Sequence, residues 1–123
     1  MVLTQCDPSV RRGALTPADG ETMADAAHHA VQAQLPLVVT IASSGADVTE
    51  GLAASFGWGL AARAITACSG VVPVLMVAHG PAVSGPALLL GLADQVVMTT
   101  DAYAFVSGPQ MVIALRFLRV DRR

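Results

Sequence analysis

The chain has 123 residues, 54% of them hydrophobic and 13% charged, so it can bury a core of its own and is too apolar for disorder. A net charge of -2 supplies no basic field for nucleic acid, and the seven basic residues are all arginine, which excludes Schiff-base chemistry and a lysine-attached prosthetic group on this chain. Cys6 and Cys68 form neither a disulfide framework nor a zinc ribbon, and no metal site is expected.

The opening segment MVLTQCDPSVRR lacks the apolar core of an export signal, which makes the cytoplasm the expected location. Thr16-Pro17-Ala18-Asp19 combines a capping hydroxyl, a proline at the first helical position and a first-turn carboxylate. A helix is therefore predicted to about Gln34, with Met23, Ala27, Ala30 and Val31 on its apolar face. Pro36 ends it, and Leu37 to Ile41 reads as a strand of a parallel sheet, turned by Ser43-Ser44-Gly45. A second helix is predicted from Gly51 to Ala67, because Leu52, Phe56, Leu60, Ala64 and Cys68 recur at near-helical spacing before Gly70.

Inside that helix, Gly57-Trp58-Gly59-Leu60-Ala61-Ala62 matches a dinucleotide-binding pattern in form only. No strand runs into it, so small residues for close helix packing are the preferred reading, with Phe56 and Trp58 in the core. Val71 to Ala78 reads as the next strand, stopped by Gly80-Pro81 and followed by a short helix from Pro86. Gln95 to Thr99 and Tyr103 to Val106 read as strands, and a last helix is predicted from Pro109. The stretch between Arg63 and Asp94 carries no formal charge, yet its prolines and glycines would break a membrane span. Strands alternating with helices give an α/β fold and no membrane partner.

Two strand-to-helix turns hold the informative residues: Ser43-Ser44-Gly45-Ala46-Asp47 and Gly80-Pro81-Ala82-Val83-Ser84-Gly85. Open α/β sheets place ligands at such strand ends, and unpaired amides at a helix start stabilise developing negative charge. The second turn reads as an oxyanion site.

In these blocks the sequence resembles the N-terminal half of the biotin-dependent acyl-CoA carboxyltransferases, the β subunits of acetyl-CoA and propionyl-CoA carboxylases in the crotonase and Clp-protease superfamily. The likeness is carried by Leu15-Thr16-Pro17-Ala18, Leu35-Pro36-Leu37-Val38-Val39, Ser44-Gly45-Ala46 with Glu50-Gly51, Ser69-Gly70-Val71-Val72-Pro73, Gly80-Pro81, and Tyr103-Ala104-Phe105-Val106-Ser107-Gly108-Pro109. It begins near Gly13 and fades after Val112, which sets residues 13–112 as a partial carboxyltransferase domain between unmatched segments 1–12 and 113–123.

The resemblance implies an incomplete crotonase-like domain of repeated β-β-α units. It implies a half-site where an acetyl- or propionyl-CoA thioester becomes an enolate and takes a carboxyl group from carboxybiotin. One oxyanion-hole amide would come from Ala46 and the other from Ser84 or Gly85, with Ser44, Gly45, Gly80 and Pro81 lining the substrate. Biotin would ride on another chain, a biotin carrier or biotin carboxylase subunit, and the chain would assemble as a homo-oligomer with a complementary carboxyltransferase half. Two positions depart from the family pattern: Ser84 stands where a glycine is usual, and Asp47 where an arginine is usual.

Ser84 also resembles the nucleophile of Clp-type serine peptidases, but a triad needs a histidine base and none follows His79. A further alternative is a truncated, non-catalytic relative that binds acyl-CoA or a subunit. Asp47 and Glu50 could pair as acid and base, although a solvated loop is the plainer reading. His28-His29 fits an exposed helix face better than a metal site, and Arg116, Arg119, Arg122 and Arg123 fit a solvated tail.

Overall fold

In the computed structural model, which describes residues 1–107 and Ile113, the chain opens with a strand that its sequence did not signal. This strand, β1 (Val2–Gln5), pairs in parallel with β2 (Leu37–Ser43), placing Val2 opposite Leu37 and Gln5 opposite Thr40. Four residues with one buried side chain give too short a pattern to read.

Helix α1 (Pro17–Ala33) starts where its capping signals put it. The Asp19 amide donates to the Thr16 hydroxyl (3.2 Å) while the Thr16 amide donates to the Asp19 carboxylate (2.8 Å), so both orphan donors are satisfied. Gln34, in the left-handed region, ends the helix one residue from the predicted limit.

Strand β3 (Val74–Val83) runs beside β2, and β4 (Gln95–Met98) beside β3, giving a parallel order β1-β2-β3-β4. The tip of β3 pairs instead with β5 (Tyr103–Phe105). Here the sequence reading is corrected. Gly80-Pro81 does not stop β3: Pro81 falls where the β2–β3 register shifts between Ile41 and Ser43, so it has no β2 partner, and it stands opposite Tyr103 of β5. Residues 71–73 precede the strand, with the Val71 and Val72 amides folded back onto the Cys68 carbonyl. The predicted helix from Pro109 and the arginine-rich end lie outside the described residues.

Helices α1 and α2 (Leu52–Ala67) pack on one another, and α1 buries Met23, Ala24, Ala27 and Ala30. Helix α2 buries a stripe of small residues, Ala54, Gly57, Ala61 and Ala64, with Ile65. Of the residues that suggested its apolar face, Ala64 and Cys68 are buried and Leu60 packs against the core, but Leu52 is 89% exposed and Phe56 is 70% exposed; Trp58 is half-buried against the core. Close approach explains the choice. A Cβ on Gly57 would lie 2.7 Å from the Pro17 Cα, and one on Gly20 would lie 2.1 Å from the Gly57 carbonyl oxygen. The Gly-Trp-Gly run is thus mid-helix packing and not a dinucleotide turn. His28 and His29 are exposed, as their helix face predicts. Among the described residues no helix is long and apolar enough to cross a membrane.

The two glycines of this run give a paired test. Gly57→Ala should lower unfolding free energy by about 2 kcal/mol or more, since backbone and not a flexible side chain blocks the new methyl. Gly59→Ala, with nothing within 4 Å of its Cβ position, should raise it by about 0.5–1 kcal/mol. Urea unfolding of both variants measures the contrast.

Candidate functional site

Strands β2 and β3 end at the same level, Ser43 opposite Ala82, so the turns that follow them emerge side by side. A Cβ on Gly45 would lie 3.3 Å from the Val83 carbonyl oxygen and 3.7 Å from the Ser84 Cβ, so the first turn rests against the second. Ser44 is exposed and Ala46 half-exposed, while Gly80 and Pro81 belong to the half-buried end of β3 and not to the turn itself.

The first turn is held by its backbone. The Ser44 amide donates to the Arg12 carbonyl (3.1 Å), the Gly45 amide to the Ser43 hydroxyl (3.2 Å), and the Asp47 amide to the Leu15 carbonyl (2.9 Å). The Leu15 amide in turn donates to the Gly45 carbonyl (2.8 Å), closing a one-residue parallel bridge between Leu15 and Ala46. Parallel bridge geometry turns the Ala46 N–H away from Leu15, and among the described residues it has no acceptor.

The second turn is Ser84, followed by α3 (Gly85–Leu90). Ser84 holds φ 62 and ψ -120, a conformation that costs a residue with a Cβ about 1 kcal/mol or more. Its amide donates to the Phe105 carbonyl at 2.7 Å. Of the two amides proposed for this turn, Ser84's is therefore already engaged, and the N–H without an acceptor among the described residues is that of Gly85. The Ser84 side chain makes no cap bond to α3. Gly85 is buried under Trp58, whose Cδ2 would lie 2.9 Å from a Cβ at that position.

Asp47 is neither solvated nor paired with Glu50. Its buried carboxylate accepts from the Thr49 hydroxyl (2.6 Å) and amide (3.0 Å) and forms an ion pair with Arg11. The Thr49 hydroxyl first, then the Arg11 guanidinium, pull its pKa down to about 2. A carboxylate so held cannot serve as a general acid. Burial pushes the Cys6 thiol up to about 11 and raises that of Cys68, so neither is a ready nucleophile. Among the described residues no three His, Cys, Asp or Glu side chains group as metal ligands.

The sequence reading missed partners of the turns: Arg11 on Asp47, Arg12 on Ser44, Leu15 clamping Ala46, Trp58 over Gly85, and Phe105 on Ser84. All are contacts between distant segments. The spacing of residues in the chain carries no sign of them.

A cavity of about 650 Å³ lies elsewhere, at the end of β1 and the start of α1, lined by Cys6, Asp7, Arg11, Asp19 and Glu50 among others. Neither candidate turn opens into it. The amide geometry therefore defines the candidate site, and this cavity does not.

Residues 1–116 match the carboxyl transferase domain. The chain belongs to that family. The match takes in the first twelve residues, β1 included, and runs past Val112. The propionyl-CoA carboxylase beta chain of Rhodococcus erythropolis is 31% identical over 115 residues, covering 94% of this chain and 24% of its own. The biotin-dependent acetyl-/propionyl-coenzyme A carboxylase beta6 subunit of Mycobacterium tuberculosis is 33% identical over the same share. The chain spans about a quarter of the length of these curated relatives. The crystal structure of transcarboxylase 12S with hydrolysed methylmalonyl-coenzyme A bound superposes at TM-score 0.86, with 28% identity, over 89% of this chain and 21% of that one. The Pseudomonas malonate decarboxylase MdcD-MdcE hetero-dimer, at TM-score 0.85 and 21% identity, shares the fold. The crotonase-like α/β class is thus established for this carboxyltransferase domain.

Two outcomes follow from the turns. Ser84→Gly should raise stability by about 1 kcal/mol by releasing the positive-φ strain, read as a higher thermal midpoint. Asp47, ionised with a lowered folded pKa, contributes stability that is complete above the usual carboxylate value of 3.8 and fades as pH falls toward about 2. In thermal unfolding scanned from pH 5 to pH 2, Asp47→Asn should flatten the acid slope compared with the parent chain.

Proposed function

We propose that the turns at Ala46 and Gly85 form the thioester half of an acyl-CoA carboxyltransferase site. The observation that carries this reading is the pair of adjacent, backbone-held turns, each presenting one amide without an acceptor among the described residues, in a chain of the carboxyl transferase family. Proton loss beside a thioester moves charge onto the carbonyl oxygen. Fixed amides aimed at that oxygen stabilise it without reorganising, one donor being worth roughly 10²- to 10³-fold in rate. The Leu15 bridge fixes the direction of the Ala46 amide, and the contact of Trp58 with Gly85 excludes water behind the second. Ser44 and Gly45 would flank the acyl group, with Gly80 and Pro81 shaping the strand floor beneath it.

The substrate class is an acetyl- or propionyl-CoA. A carboxyl group carried as carboxybiotin on another chain would complete the reaction, because this chain has no lysine to bear biotin. A complementary carboxyltransferase half is the expected partner. Strands β4 and β5 support that expectation by exposing Val96, Val97, Met98, Tyr103 and Phe105 along one end of the sheet, where a folded domain ordinarily covers apolar residues. A second reading, acyl-CoA binding without turnover, is favoured by the exposed Ser84 side chain, held at φ 62 in the second turn where the resemblance implies a glycine.

Isotope-edited infrared spectra of [1-¹³C]propionyl-CoA bound to the chain test the reading directly. A thioester carbonyl stretch shifted to lower frequency, with ¹H–¹⁵N shifts confined to Ala46, Gly85 and their neighbours, is expected. Binding of acyl-CoA but no carboxyl transfer, even with a full-length biotin-bearing carboxylase supplied, would select the non-catalytic reading. Absence of acyl-CoA binding in both settings would overturn both.

A further inference from the structure

Arg11, Arg12 and Gly13 take φ 46, 56 and 69, so three successive residues turn left-handed just before the domain's first helix. L-residues with a Cβ avoid this region, and two arginines in sequence occupy it only where the surroundings fix the backbone. Gly13 fits because its missing Cβ would lie 2.0 Å from the Ala42 carbonyl oxygen at the end of β2. The turn is thus pressed onto the strand that leads to Ala46, with the Arg12 carbonyl accepting from the Ser44 amide.

This conformation delivers the Arg11 guanidinium to the buried Asp47 carboxylate. Asp47 is the residue next to Ala46, and its own amide makes one side of the Leu15 bridge. The two carboxylate oxygens divide the work. One accepts both Thr49 donors and ties the turn forward, while the other accepts from Arg11 and ties it back. Beyond these contacts the loop is open, with Val48, Thr49 and Glu50 exposed.

We propose that Arg11 and Asp47 are a positioning pair that sets the direction of the Ala46 amide, the strained Arg11–Gly13 turn being the means by which the guanidinium reaches it. Resting on the thioester reading above, the inference adds a determinant of the site from the segment before Gly13. Neither side chain is assigned contact with substrate. The pair acts through the peptide between Gly45 and Asp47.

The test compares the parent chain with Arg11→Met, Arg11→Lys and Asp47→Asn. The Asp47→Asn variant keeps an acceptor for Thr49 but carries no charge for Arg11, which separates the forward tie from the backward one. In the ligand-free protein, Arg11→Met and Asp47→Asn should speed hydrogen exchange at the Leu15 and Asp47 amide positions by about 10-fold or more, and leave the Ser84 amide of the second turn unchanged. With propionyl-CoA, the same variants should lose at least about half of the thioester carbonyl shift while affinity stays within about 3-fold, since remote contacts hold the CoA. Arg11→Lys should restore most of both signals. Unchanged exchange at these two amide positions in folded Asp47→Asn would overturn the proposal. Faster exchange with an undiminished carbonyl shift would reduce the pair to a structural staple, and so would also overturn it. A parent chain that binds propionyl-CoA with no carbonyl shift is a different failure, that of the thioester reading, and it removes the catalytic purpose of the pair with it.

Discussion

The parallel pairing of β2 with β3 governs the candidate site, because it decides where two turns far apart in the chain meet. Ser43 stands opposite Ala82, at or one residue from the end of each strand, so Ser44 to Ala46 and Ser84 to Gly85 leave the sheet together. The shift in register between Ile41 and Ser43 makes this possible. Without it, the two strand ends would be staggered and the Gly45 backbone would not rest on Val83 and Ser84. Register in a parallel sheet is fixed by which faces are buried, and Leu37, Val39 and Ile41 of β2 are buried together with Val74, Met76 and Ala78 of β3. The apolar core thereby sets the spacing of a polar site.

The helix layer reaches the same place by another route. Alanine and glycine on the buried faces of α1 and α2 let the helices approach until Gly20 and Gly57 meet backbone to backbone. One residue beyond Gly57, Trp58 extends from α2 and lies over Gly85 at the start of α3. The crossing distance of two helices thus determines how closely an indole can cover the second turn. A wider crossing, forced by any side chain at position 57, would move that cover.

The parts of the fold legible in the sequence were those written locally. The capping box at Thr16 and Asp19, the proline at position 17 and the β-branched run of β2 each name their element, because the physics involved spans only a few residues. The parts that were not legible depend on partners. Pro81 reads as a breaker until the register shift beside it leaves it without a β2 partner. Leu52 and Phe56 read as core because they are large and helically spaced, but the tight crossing admits only small residues and turns them outward. The proposed amides, Ala46 and either Ser84 or Gly85, came from the family resemblance, whereas the engagement of Ser84 by Phe105 required knowing that β5 pairs with the tip of β3.

A site made of backbone amides leaves little trace in composition, since any residue but proline supplies an N–H. What the sequence must supply is the conformation that points it, and this shifts the burden to residues outside the turns. Ser84 shows how far that goes. A side chain at φ 62 would ordinarily relax to negative φ, taking the start of α3 with it. The bond from its amide to the Phe105 carbonyl opposes that relaxation, and the bond exists because Val83 and Phe105 are paired. Strand β5, itself exposed and far along the chain, therefore holds the second turn in register with the first. Any surface that covered β5 would therefore also steady the turn that leads into Gly85, through the bond from Ser84 to Phe105.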